Sequence, residues 1–254
     1  MSLAGKVAIV TGAGSGIGAA VCEVFDREGA TLVAADIDGE AATRQAKQLT
    51  SASAATLDVS DVSAVDRLVA ATAENFGRID VLAHVAGIDD VESKARLAEC
   101  QAQGLPPDVT ATLRDDQWHR MLSVNLTAPF YLTRAALRVM VPQGHGSIVH
   151  VSSIAGLYGH PGLPHYSAAK AGLLGFIRSV AKEVRDHGVR VNAVAPGGVD
   201  TPMFARTRKE GIRVPSLPMG RPAAAHEVAE TILFLASDAS SYVTGETITV
   251  DGGG

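Results

Sequence analysis

Cysteine is nearly absent. Cys22 and Cys100 are the only two in 254 residues, and neither has the spacing of a metal-binding pair. That excludes a disulfide framework, gives no reason to expect a metal, and suits a reducing compartment. No apolar run is long enough to span a bilayer, and no signal peptide precedes the first strand-like run, so a cytoplasmic chain with no membrane partner is expected. Basic runs are missing as well. Lys and Arg number 22 against 27 Asp and Glu, and a net charge of −5 leaves no electrostatic footprint for nucleic acid. There are no repeats, low-complexity segments or linkers. Hydrophobic residues make up 46% and charged residues 19%, which excludes a disordered chain, and the length fits one α/β domain.

What the chain does have begins at Val7-Ala-Ile-Val10, an apolar run of the kind a strand buried on both faces shows. It leads into Thr11-Gly-Ala-Gly-Ser-Gly-Ile-Gly18 and then a helical pattern, Ala19 to Phe25. Glycines between strand and helix let a backbone approach a pyrophosphate, and the helix N-terminus supplies free N–H groups. Gly14, Gly16 and Ala19 fit the loosened dinucleotide fingerprint. The stronger match is Thr-Gly-x-x-x-Gly-x-Gly on Gly12, Gly16 and Gly18.

Leu32 to Asp36 reads as the second strand, ending in an acid 18 residues after Gly18. A carboxylate there can bind both hydroxyls of an adenosine ribose and repel a 2′-phosphate. Positions 13, 15 and 37 are Ala, Ser and Ile, so no cation is at hand to hold such a phosphate. NAD is therefore expected in preference to NADP. A helix N-cap is the competing role for Asp36.

Strand and helix patterns then alternate: a strand over 55–58, a helix over 62–76, a strand over 80–85, a long helix over 115–141, and strands over 147–153, 189–194 and 247–250. Alternation implies a parallel sheet with right-handed crossovers, and ligands bind beyond its C-terminal edge. Asp58, Val59, Val85, Ala86, Gly87 and Ser153 fall on that edge. Pro129 is expected to disturb the long helix that carries Asn125. Between them, residues 89–114 predict an extra helical cover near the site mouth or a subunit contact, with Val91, Ala95, Ala98 and Ala102 on one face. Residues 202–222, rich in proline, predict a substrate lid. Tyr166 and Lys170 lie four apart on a helix, so phenol and ammonium share a face and the cation should favour the phenolate.

These pieces resemble the short-chain dehydrogenase/reductase family from end to end: Thr11 to Gly18, Asp58-Val59, Ala86-Gly87, Asn125, Ser153, Tyr166-x-x-x-Lys170, Pro196-Gly197 and Thr201. The resemblance implies a single Rossmann-like α/β domain, a doubly wound parallel sheet with helices on both faces, assembled as a homotetramer. It implies interconversion of a secondary alcohol and a ketone. Tyr166 would be the acid/base, Lys170 would lower its pKa and hold the nicotinamide ribose, and Ser153 would bond the substrate oxygen. Asn125 would link Lys170 to solvent. Ser152 should face the other way. Cofactor contacts are implied for Gly12, Ser15, Gly16, Ile17, Gly18, Asp36, Ile37, Asp58, Val59, Val85, Ala86, Gly87, Tyr166, Lys170, Pro196, Gly197, Val199 and Thr201.

The tail from Met219 to Gly253 resembles the 3-oxoacyl thioester reductases within that family. Asp36 departs from their usual NADP preference, so a hydroxysteroid, sugar alcohol or terpenoid alcohol stays open as substrate, and an NAD-binding regulator without turnover is the rival. A second departure is His84-Val-Ala-Gly87 where the family commonly has Asn-Asn-Ala-Gly; His84 is read as a satisfied sheet histidine. His160 and His165 are read as solvated loop histidines, Trp118 and His119 as packing the long helix. Leu157, Met203, Phe204 and Leu217 are candidates for an apolar substrate wall.

Overall fold

The computed structural model describes residues 1–209 and 217–254. Seven strands form one parallel sheet: β1 (Val7–Thr11), β2 (Thr31–Asp36), β3 (Ala52–Thr56), β4 (Val81–His84), β5 (Gly146–Val151), β6 (Val189–Pro196) and β9 (Thr247–Val250). Their order across the sheet is β3-β2-β1-β4-β5-β6-β9. The chain therefore reverses direction between β1 and β4, where an open parallel sheet leaves a crevice. A second, two-stranded pair joins β7 (Val199–Asp200) to β8 (Ala223–Ala224).

The helices are α1 (Gly16–Arg27), α2 (Gly39–Ala46), α3 (Val62–Phe76), α4 (Val91–Gln103), α5 (Val109–Thr112), α6 (Asp115–Leu122), α7 (Ala128–Gln143), α8 (Ala155–Tyr158), α9 (Pro164–Val184), α10 (Pro202–Lys209) and α11 (Ala225–Ala236). Aspartates start three of them. Asp38, Asp61 and Asp90 each accept N–H bonds from the first turn of α2, α3 and α4. Among the described residues no helix is long and apolar enough to cross a membrane.

Alternation along the strands sends side chains to two cores. Ala8 and Val10 of β1 pack with Val21 and Phe25 of α1 and Ile232 of α11 on one face. Ile9 packs with Val65 of α3, Leu132 of α7 and Leu173 and Ile177 of α9 on the other. Both faces of β1 are buried, hence its unbroken apolar run.

Two expectations need correction, and one is met. The third strand lies at Ala52–Thr56, not 55–58. It is the sheet edge and half-exposed, so Ala-Ser-Ala-Ala-Thr carries little apolar signal. The helix expected over 115–141 is disturbed, as Pro129 implied: α6 and α7 are joined by a π-helical turn, Ser123–Thr127. Proline at 129 has no N–H for the Asn125 carbonyl and its ring would clash there, which the wider turn relieves. Finally, α4 does exist within 89–114, but its buried side is Ser93, Lys94, Leu97 and Cys100, while Val91, Ala95 and Ala102 face out. Alanine gains little by burial, and Lys94 is drawn inward by Asp89, just before α4, and by Thr207 on α10. Of the expected lid, residues 210–216 lie outside the described residues; α10 occupies its start.

Candidate active site

The turn after β1 is held by contact between backbones. Gly12 has φ +69°, and a Cβ there would sit 2.9 Å from the Ala86 Cα; a Cβ at Gly18 would collide with the Gly12 carbonyl. Glycine is therefore required at both positions, and the loop lies flat against the segment after β4. Ser15 starts α1 in extended conformation without a side-chain cap, and the first turn holds no acid. The N–H groups of Gly16, Ile17 and Gly18 thus remain available to an anion at a helix N-terminus. Thr201, from the loop after β7, reaches over Gly16: a Cβ there would lie 3.2 Å from the Thr201 methyl. The Thr201 hydroxyl accepts the Phe204 N–H at 3.3 Å at the start of α10.

At the end of β2 the Asp36 carboxylate accepts the Gly14 N–H at 2.8 Å and the Asp38 N–H at 2.9 Å. Asp38, not Asp36, caps α2. The N-cap alternative for Asp36 is thereby removed, and its carboxylate is aimed at the glycine loop with lone pairs to spare. Ile37 beside it is 71% exposed. Arg44 on α2 pairs with Asp38 and Glu40. This cradle fits a dinucleotide: bare glycine backbone, a free helix N-terminus, and a fixed acid one strand away. Asp58, exposed, accepts from Ser60, and Val59 is buried after β3.

Val85 and Ala86 donate their N–H groups to the Thr11 hydroxyl at 3.2 and 3.3 Å. Having accepted both, that hydroxyl gives its proton to His84 Nδ1, 2.7 Å away. His84 is buried, and burial, with His150 and Lys170 nearby, holds its pKa well below the ordinary value. A neutral imidazole thus anchors the β4 turn where the family's asparagine amide would.

The cavity above the β4–β6 edge has a volume of about 570 Å³. It brings together Asn125, Ser153, Tyr166 and Lys170 with Ile17, Val85 and Gly87, and with Pro196, Gly197, Val199 and Thr201. The remaining predicted cofactor residues, Gly12, Ser15, Gly16, Gly18, Asp36, Ile37, Asp58, Val59 and Ala86, lie outside its lining, along the glycine-loop half of the edge. Met203, Phe204 and Leu217 line the cavity; Leu157 does not and is 39% exposed.

Tyr166 sits in the first turn of α9 and Lys170 one turn on, both facing β5. Lys170 Nζ donates to the Val151 carbonyl at 2.9 Å and lies 5.7 Å from the Tyr166 ring centre. Ser153 shares a hydrogen bond with the Tyr166 hydroxyl. Ser152 faces away and donates to the Lys170 carbonyl at 3.1 Å. Asn125, in the π turn, ties to Ile88 both ways: Nδ2 donates to its carbonyl at 3.0 Å and Oδ1 accepts its N–H at 3.3 Å.

The electrostatics differ from the sequence reading. Burial pushes the Tyr166 phenol above its ordinary pKa; the Ser153 bond pulls it back, and Asp89 pushes it up again. Burial also lowers Lys170 to about 8. The ammonium lies 5.7 Å from the ring centre and donates to the Val151 carbonyl, and burial is the largest influence on the phenol. The Tyr166 phenol is held in its protonated form.

His165, expected in solvent, is fully buried. Its Nε2 lies 3.0 Å from Asp90 Oδ2. The same carboxylate caps α4 and accepts from Ser93 and Gln117. His160 is exposed, as is His119, and Trp118 is 36% exposed. The sequence reading missed Asp89, Lys94 and Thr207, which line the cavity. An acid and a lysine five residues apart at a helix start carried no local signal of a site.

An open parallel sheet with a glycine cradle and a Ser–Tyr–Lys group on one edge defines an α/β nucleotide-dependent oxidoreductase. Residues 12–254 match a family model described as enoyl-(acyl carrier protein) reductase, and the chain belongs to the short-chain dehydrogenase/reductase family. It is 39% identical to the 3-oxoacyl-[acyl-carrier-protein] reductase FabG of Thermotoga maritima, over 100% of this chain and 99% of the relative. Levodione reductase superposes with a TM-score of 0.87 at 31% identity, covering 98% of this chain and 97% of that one. The 3-ketoacyl-(acyl-carrier-protein) reductase from Brucella melitensis, solved as a complex with NADH, gives 0.87 at 30% identity, covering 99% of both chains.

Proposed function

We propose that this protein interconverts a secondary alcohol and a ketone with NAD(H), Tyr166 acting as acid/base. The observation that carries the reading is the cavity shared by Ser153, Tyr166, Lys170 and Asn125 beside the cradle of α1. A nicotinamide dinucleotide, when bound, supplies or takes up the hydride. The chain's own groups do the rest. Gly12 to Gly18 and the α1 N-terminus hold the diphosphate, and Asp36 takes the adenosine ribose hydroxyls. Val85 to Gly87, Pro196, Gly197, Val199 and Thr201 hold the nicotinamide half, with Lys170 on its ribose. Ser153 orients the substrate oxygen. Tyr166 gives its proton to that oxygen in reduction and recovers it in oxidation. Asn125 and Gly87, whose Cβ position is 2.8 Å from Asn125 Oδ1, keep the floor beside Lys170 narrow.

Preference for NAD over NADP rests on Asp36, its two N–H bonds, and Ala13, Ser15 and Ile37 around it. A 3-oxoacyl thioester is the second substrate reading, favoured by the name of the 39%-identical relative. A cytoplasmic homotetramer goes with either. The test is turnover of NADH and NADPH across a ketone panel that includes a 3-oxoacyl thioester, alongside calorimetric binding of both dinucleotides. Turnover with NADH preferred is expected. Tight NAD binding with no turnover on any ketone or alcohol would instead assign a regulator.

A further inference from the structure

The cavity wall opposite Tyr166 is not wholly apolar. Lys94, at the second turn of α4, is 5% exposed and lines the cavity. Its Nζ lies 2.5 Å from Asp89 Oδ2 and 2.5 Å from Thr207 Oγ1 of α10. An ammonium has three donors, and among the described residues these two acceptors take two of them. Asp89 is itself shared: Arg206 approaches its other oxygen at 3.6 Å. Two cations therefore flank one carboxylate, buried Lys94 on one side and half-exposed Arg206 on the other, and the three side chains sum to one positive charge. The surroundings are Leu97, Leu163 and Met203. Arg221 and Glu227, also on the lining, neutralise each other at 2.7 Å.

We propose that Lys94 is a specificity residue that binds an anionic oxygen group, a carboxylate, carried by the ketone or alcohol substrate away from its reacting carbon. This rests on the reading of Tyr166 and its cavity given above and narrows its substrate class. A carboxylate completes the third Lys94 bond as a charge-assisted pair, roughly twice as strong as a neutral one. It also balances the excess charge left by Lys94, Asp89 and Arg206. An ester of the same length can accept the bond and cannot balance the charge. The residues come from the 89–114 segment and from α10, so that segment acts as a selector at the site mouth.

The experiment measures kcat/KM for a homologous series of oxo acids and for their methyl esters, with the preferred nicotinamide, in wild type, Lys94→Gln, Asp89→Asn and the double variant. At the best chain length wild type is expected to favour the acid over the ester by tenfold or more. Lys94→Gln and the double variant should lower that ratio at least tenfold, chiefly through KM. Asp89→Asn, which removes the competing carboxylate, should raise it by threefold or more. A structural ion pair would lose with either single change, so opposite signs separate the two roles. Should a single variant fail to fold, the neutral double variant decides. A ratio within twofold of wild type in any folded Lys94 variant, or no turnover of either series by an enzyme that reduces other ketones, overturns the proposal. No turnover of any ketone overturns the reading of the cavity instead.

Discussion

On the β1–β2 side of the sheet edge, the chain meets itself through backbone. Gly12 lies on Ala86, Gly18 on the Gly12 carbonyl, and Asp36 on the Gly14 N–H. On the β4–β5 side it meets itself through side chains. There the 89–112 segment has a small apolar cluster of its own, Leu97 and Val109 with Ala98. Most of its attachment is polar: Asp90 to His165 and Gln117, Lys94 to Thr207, Arg206 to Asp89. The first construction tolerates almost no change, as the proposed dinucleotide site requires. The second can be rewritten residue by residue, as the proposed role in choosing among substrates requires.

The sharpest break of this contrast is Gly18→Ala. Its Cβ has nowhere to go but into the Gly12 carbonyl, and overpacking of this kind costs about 1–3 kcal/mol or more. Calorimetry should show dinucleotide binding weakened at least a hundredfold for NAD and NADP alike, with the ranking of ketones unchanged in whatever activity survives. Next comes Asp90→Asn, which removes the charge joining α4 to α9. A partly buried acceptor shared by His165, Ser93 and Gln117 is worth about 1–3 kcal/mol. Denaturant melts should lose that much, and the order of preferred ketones should change while the NADH to NADPH ratio holds. Asp36→Ala is the mirror image: roughly a tenfold loss of discrimination against NADP, read as the ratio of kcat/KM values, with ketone order intact. If Asp36→Ala reordered the ketones, the two sides would not be independent.

A smaller effect concerns acid. His84 and His150 are buried neutral, His150 with its pKa lowered to about 3 by burial and by Lys170. The unfolded chain binds these protons near pH 6.5 and the folded chain does not. Their contribution is therefore present above 6.5 and lost as pH falls through it, for His150 down to about 3, at about 1.4 kcal/mol per pH unit per group. Stability measured by denaturant from pH 7 to 4 should fall, and His150→Gln should flatten the slope by about one such group.

The same contrast explains what could be read from the sequence. Steric demands between backbones leave a mark at fixed spacing, so Gly12, Gly16, Gly18 and the acid after β2 stand out in one stretch of residues. Tyr166 and Lys170 do too, because one helical turn sets their distance. The edge strand β3 was displaced because it buries little. Lys94 was hidden because its partners, Asp89 and Thr207, lie 5 and 113 residues away, and His165 was misjudged because Asp90, 75 residues off, draws it inside. The phenol's upward pKa depends on burial and on Asp89 together, which no spacing encodes.

The most direct test of the account is ketone-dependent NADH consumption by Tyr166→Phe beside wild type, with NAD affinity measured on both. The account predicts kcat lower by about 10²–10⁴-fold with NAD affinity within a few-fold of wild type. A Phe variant that turned over the ketone at the wild-type rate would contradict it.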